Sequence, residues 1–191
     1  WSLYLIYFVL LIGKLTGQLS KKYEQQMLLR LKNRKQWWME MHLKIWLECI
    51  GYLLVTAATF LIYAFCTKSA IEGINLELLK DYLGLEINKN NFRIFSMVLV
   101  FFVALLALTY IQYIVSLAIN AVIGILVSIV VLVSSVYQTH PFLIGNYFMG
   151  IRQIMFVMDD VGFLMQGAVS IGIIFFMAVI GYQILKRKDL F

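Results

Sequence analysis

The stretch "IFSMVLVFFVALLALTYIQYIVSLAINAVIGILVSIVVLVSSVY" (Ile94–Tyr137) contains no charged residue, and none follows until Arg152 apart from the titratable His140. A helix crossing a bilayer needs only about 20 apolar residues, so this run is long enough for two crossings joined by a tight, uncharged turn. Barrel strands alternate apolar and polar residues over about ten positions, whereas "FSMVLVFFVALLALTYI" is apolar on every face. The chain therefore reads as an all-α, polytopic membrane helix bundle. Composition agrees: 62% of the 191 residues are hydrophobic, 15% aromatic and 14% charged, which leaves too little polar surface for a water-soluble domain. A single proline, Pro141, suits long helices.

Working outward, five spans are visible: 1–16, 45–66, 94–115, 117–137 and 162–185. The first, "WSLYLIYFVLLIG", is short for a full crossing, and because the chain opens on Trp1 we expect residues to precede it. It is not a signal peptide, since it has neither a basic segment before it nor a small-residue cleavage site after it. A sixth segment, "PFLIGNYFMGIRQIMFVMDD" (Pro141–Asp160), is apolar but broken by Gly145, Gly150 and Arg152.

Charge asymmetry predicts orientation, because short loops rich in Lys and Arg stay on the cytoplasmic side. Between the first two spans lie Lys14, Lys21, Lys22, Arg30, Lys32, Arg34, Lys35 and Lys44 against Glu24 and Glu40, which places this linker inside. The 67–93 linker is balanced, with Lys68, Lys80, Lys89 and Arg93 against Glu72, Glu77, Asp81 and Glu86, and is expected outside. The basic tail 186–191, "KRKDLF", belongs inside. A crossing at 141–160 would put that tail outside, so this segment is expected to be a re-entrant or interfacial hairpin on the outer side.

The inner linker holds "LLRLKNRKQWWMEMHLKIW" (Leu28–Trp46), where cations alternate with tryptophans. A nucleic-acid patch would aim its cations at phosphates, but this one is tethered within a few residues of the bilayer. Trp37, Trp38 and Trp46 with snorkelling Lys35 and Lys44 suit the membrane interface. Anchoring needs only one or two turns, so the length of the linker points to a second use. Glu24, Gln25 and Gln26 favour helix and no Pro or Gly falls between Gly17 and Gly51, so the linker reads as a helix beneath the membrane that turns near Lys32–Lys35.

In layout the chain resembles the permease subunits of ABC-2 type exporters. The resemblance is carried by the basic turn and tryptophans of "RLKNRKQWWMEMHLK" directly before a span, the further spans, the outer hairpin before the last helix and the terminal "KRKDLF". Such permeases have six spans, an amphipathic elbow helix before the first and a re-entrant hairpin between the fifth and sixth. The resemblance implies that 1–16 is the second span, that 18–44 is the coupling-helix region and that 141–160 is the hairpin. It further implies docking of a cytoplasmic ATPase on Arg30, Lys32, Arg34, Lys35, Trp37, Trp38 and Glu40. The expected assembly has two ATPase copies, which carry ATP and Mg, and a second permease subunit, identical or homologous, in lipid of the bacterial plasma membrane.

This chain has no phosphate loop of its own, because its Gly13-Lys14 pair is followed by Leu15 and lacks the preceding glycine. No metal site is expected: His42 and His140 fall on opposite sides of the membrane and neither lies in an H-E-x-x-H pattern. Cys49 and Cys66 lie about 25 Å apart on one helix, too far for a disulfide, and read as packing residues. Glu48 lies about one turn inside its span, either snorkelling toward Lys44 or serving in gating. Asp159 and Asp160 mark the end of the hairpin or attract a cationic substrate at an exit, and Arg152 is in reach of Asp159 if the hairpin folds back. Aromatic and methionine residues from Phe142 to Met165 read as bilayer packing or as a greasy exit surface. The Ala168/Gly172 pair marks a close helix contact, internal or between subunits.

The expected function is export of a hydrophobic or amphipathic substrate, such as a bacterial peptide or toxin, by alternating access driven from a partner ATPase. An ion-coupled secondary transporter would show ionisable residues at mid-bilayer and matched halves. A membrane enzyme would show a clustered catalytic constellation. A non-transporting sensor or immunity subunit on the same scaffold remains an alternative.

Overall fold

The computed structural model describes residues 2–18, 34–67, 94–138, 140, 142–149 and 160–187. These form five α-helices: α1 (Ser2–Gln18), α2 (Arg34–Cys66), α3 (Ile94–Ala118), α4 (Ala121–Tyr137) and α5 (Asp160–Arg187). A 3-10 segment, Ile144–Phe148, lies between α4 and α5, and no strand occurs among the described residues. Three helices contain stretches long and apolar enough to cross a membrane, at Lys35–Cys66, Ser96–Ala118 and Leu164–Ile184. The other two, α1 and α4, have 17 residues each, about 26 Å at the helical rise.

The turn between α3 and α4 falls at Ile119–Asn120, later than the expected boundary at 115–117, so Leu117 belongs to α3. Asn120 sets it: its side-chain oxygen accepts from the Ile123 backbone N–H at 2.8 Å and caps α4. Helix α2 starts at Arg34, within the Lys32–Lys35 stretch where a turn is expected, and runs unbroken past position 45 for 33 residues, about 50 Å. That exceeds the roughly 30 Å hydrocarbon core, so one end of α2 must emerge from it.

Helix α3 is the centre of the bundle and touches all four other helices and the 3-10 segment. Its mid-section from Ala104 to Ile114 is buried on every side, which explains why its sequence is apolar all round. α1 buries one stripe, Leu5, Phe8, Val9 and Ile12, at helical spacing. It packs antiparallel to α2, where Tyr4 meets Tyr52 and Thr56. α2 in turn runs antiparallel to α3, with His42 against Tyr110 and Trp46 against Phe102. α5 lies beside α3 with their C-terminal halves together, since Gly181 abuts Ile114.

These contacts gather the end of α1, the start of α2, the α3–α4 turn and the end of α5 at one end of the bundle. Lys14 near the end of α1, Lys35 at the start of α2 and Lys186 at the end of α5 therefore share one end. The chain leaves α4 and enters α5 at the opposite end. The expected hairpin therefore begins and ends on one side, although 150–159 lies outside the described residues.

Small and polar residues fasten the helices where backbones approach. Gln112 of α3 donates from Nε2 to the Val9 carbonyl of α1 at 2.7 Å. Gly124 of α4 faces the Gln112 carbonyl and Ser116, and a Cβ there would overlap both. The hydroxyls of Thr109, Ser116, Ser128 and Ser135 are tied to carbonyls four residues earlier in their own helices. Substituting Gly124 by valine forces backbone against backbone, and overpacking of this kind costs about 1–3 kcal/mol. We expect G124V to melt at a lower temperature than the parent in detergent; an unchanged melting temperature would show that the approach is looser than described.

Candidate functional site: the basic end of the bundle

The expected coupling region divides at Arg34. Arg30 and Lys32 lie outside the described residues, and Arg34 opens α2, with its side chain likewise undescribed. From Lys35 onward the segment is no separate surface helix, because it continues directly into the membrane-length part of α2. Trp37, Met41, Ile45, Cys49 and Tyr52 form one buried stripe spaced at four, four, four and three residues. That spacing keeps a helix face turned toward the bundle from the first turn.

Trp37 and Trp38 are therefore corrected from interfacial, docking residues to packed ones, with exposures of 1% and 8%. Trp46 alone of the three keeps an exposed face, at 45%, and meets Phe102 edge-on at a centroid distance of 6.0 Å. Trp38 extends across to α5 and lies over Gly181, where a Cβ would overlap both the indole and Ile114 of α3. Its ring meets His42 edge-on at 4.5 Å and lies 6.5 Å from the Tyr182 ring. His42 stacks on Tyr110 and its Nδ1 is 2.5 Å from the Tyr110 hydroxyl. The first turns of α2 are thus tied to α3 and α5 through one connected aromatic cluster.

Charge surrounds that cluster. Lys14 of α1, Lys35 of α2 and Lys186 of α5 are all exposed at this end. Glu40, Lys44 and Glu48 are half-buried on α2, and Glu48 sits one residue from Cys49, whose thiol lies 3.4 Å from the Thr109 hydroxyl. Three exposed lysines on three helices thus lie at the end where the start of α2 is packed against α3 and α5.

At the opposite end, the 3-10 segment is buried along its whole length. Asn146 holds it there, donating from Nδ2 to the carbonyls of Gln138 at 3.1 Å and His140 at 2.8 Å. Gly145 presses on Ser135, and Phe148 meets Phe101 edge-on at 5.3 Å. Tyr147 and Phe148 are accordingly packing residues, while Phe142 and Met165 remain exposed. Arg152 and Asp159 lie outside the described residues, and Asp160 opens α5 with its side chain undescribed, so the expected ion pair and acidic exit fall there too. Ala168 and Gly172 face outward with open space at Gly172, so the glycine in close internal contact on α5 is Gly181.

Two features were absent from the sequence reading. An apolar groove of about 950 Å³ opens between α2 and α3, lined by Trp46, Ile50, Leu54, Phe60, Val98 and Phe102 among others. At its edge the Tyr4 and Thr56 hydroxyls are 2.6 Å apart, and the Thr56 hydroxyl donates to the Tyr52 carbonyl. The second is a set of buried polar atoms without hydrogen-bond partners: Trp37 Nε1, Gln112 Oε1, both polar atoms of the Gln166 side chain, and Ser170 Oγ. Each such atom costs about 1–3 kcal/mol if it stays unsatisfied. Among the described residues no group of three or more His, Cys, Asp or Glu could hold a metal.

Comparison with known protein families, with curated proteins and with solved structures finds no match to this chain.

Proposed function

We propose that the chain is the transmembrane permease subunit of an ATP-driven exporter whose ATPase is a separate protein. The observation that carries this reading is the seating of Trp38 over Gly181, which joins the basic start of α2 to α5. A helix that only floated on the membrane surface would need no such link. A helix that transmits force does, because motion at its exposed end must reach the membrane part without being absorbed by a hinge.

In the mechanism we propose, an ATPase docks on the basic end at Arg30, Lys32, Arg34 and Lys35, with Glu40 nearby, and supplies ATP and Mg binding that this chain does not. Closure of two ATPases displaces α2 as a rigid rod. Trp38 presses that displacement onto α5 and α3, opening and closing a path between this subunit and a second permease subunit, identical or homologous. All five helices cross the bacterial plasma membrane in this reading, with the basic end cytoplasmic by the distribution of lysine and arginine. The 3-10 segment then belongs to an outer hairpin, and Glu48 to the region where gating occurs. The cargo is an apolar or amphipathic molecule such as a bacterial peptide.

The test is purification of the tagged full chain from its native membrane in mild detergent. Recovery of a phosphate-loop ATPase in stoichiometric amount, with ATP hydrolysis in the purified fraction, is the expected result. Recovery of the chain without any ATP-binding protein, from cells in which its export phenotype is intact, would overturn the reading.

A further inference from the structure

We infer that an internal water site lies between α3 and α5 at Gln166 and Ser170. The two residues are one helical turn apart on the face of α5 that is buried, each only 1% exposed. Gln166 Nε2, Gln166 Oε1 and Ser170 Oγ all lack a hydrogen-bond partner. This is the one place among the described residues where unpartnered polar atoms of neighbouring side chains come together.

Protein cannot easily supply the missing partners. The main neighbour of α5 is α3, and from Met97 to Leu108 no α3 side chain carries a nitrogen or oxygen. Helix carbonyls can accept a second bond, as they do from Thr109, Ser116, Ser128 and Ser135, but Ser170 Oγ and Gln166 Nε2 make no such bond. Elsewhere in the bundle Ser128 reaches the Gly124 carbonyl and Gln112 bonds through Nε2 to the Val9 carbonyl, leaving only its Oε1 unpartnered, whereas neither amide atom of Gln166 is bonded. The contrast singles out Gln166 and Ser170 rather than a general looseness of packing.

Water matches the chemistry of the site. The amide offers a donor and an acceptor, the hydroxyl offers either, and a buried water typically makes about three hydrogen bonds to groups of this kind. Gln166 lies about 9 Å along α5 from its first residue, at the end of the bundle away from the basic cluster. Hydration there gives the bundle interior a polar step in an otherwise apolar wall. The inference stands without the transporter reading, since it rests on satisfaction of buried polar atoms alone.

The test is water-to-amide cross-relaxation by NMR on the full chain, labelled with 15N in its side-chain amides and held in micelles. The Gln166 signal is assigned by its loss in Q166L. Asn146 is the dry reference, because it is fully buried and its Nδ2 already donates to two carbonyls. A water cross-peak at the Gln166 amide that is absent at Asn146 is the expected result. No cross-peak at Gln166, or equal cross-peaks at both, would overturn the inference.

Discussion

Trp38→Ala lowers the stability of the bundle by about 3–5 kcal/mol, the range for removing a large aromatic from a well-packed core. The indole fills the space between α2, α3 and α5, and Gly181 leaves nothing that could relax into the vacancy. Thermal or denaturant unfolding in detergent measures the loss. Trp46→Ala provides the contrast: that side chain is 45% exposed, and its removal should cost far less. Gly181→Val approaches the same contact from α5, forcing out either Trp38 or Ile114, and should be comparably damaging. Equal stability of W38A and W46A would show that the Trp38 seat is not a tight one. Under the proposed function the milder Trp38→Phe separates two effects, retaining ATPase binding while export falls, because the docking charges are intact but the lever is loosened.

Under the proposed function, charge reversal at Arg30, Lys32, Arg34 and Lys35, each to Glu, should leave the chain folded and abolish ATPase docking. Lys35 is exposed, and the buried stripe of α2 begins only at Trp37, so the bundle loses little. An acidic docking surface, in contrast, would meet like charge, which costs several kcal/mol in total and reduces recovery of the partner by at least about tenfold. The measurement is the ratio of ATPase to chain after purification, with melting temperature as the control for folding. Loss of binding accompanied by an unchanged melting temperature is expected. An unchanged ratio would mean that the docking face lies elsewhere.

Helical architecture was legible in the uncharged run from Ile94, because only helices and closed barrels satisfy their backbone in lipid and this run lacks the alternation of barrel strands. The extents of α3 and α5 were also within reach, since apolar length reports membrane thickness directly. Charge distribution predicts one side for the 14–44 linker and the tail, and the contacts at Gly13, Trp38 and Gly181 bring together the helix ends that adjoin them.

Trp37 and Trp38, unlike Trp46, are buried for a reason that composition does not carry. Composition alone assigns an aromatic beside lysines to the interface, but Trp37, Met41, Ile45, Cys49 and Tyr52 repeat at helical spacing, and that periodicity carried the signal of burial. Ala168/Gly172 has the spacing of a close contact, internal or between subunits, and its outward face leaves only the second of these, because which face of α5 meets α3 depends on the whole bundle. The groove between α2 and α3 could not be read at all, because it arises from the crossing of two helices whose sequences are apolar on every face. The hydrogen bonds of Asn146 depend equally on the path of the chain after Tyr137, which Pro141 marks only as irregular.

The most direct test of the central claim is photo-cross-linking in living cells from a benzoylphenylalanine placed at Lys32 or Lys35, compared with one at Tyr137 on the opposite end. An adduct with a phosphate-loop ATPase from both basic-end positions, and none from position 137, is the expected result. Adducts from the basic end that contain only lipid, or a protein with no nucleotide-binding motif, would contradict it.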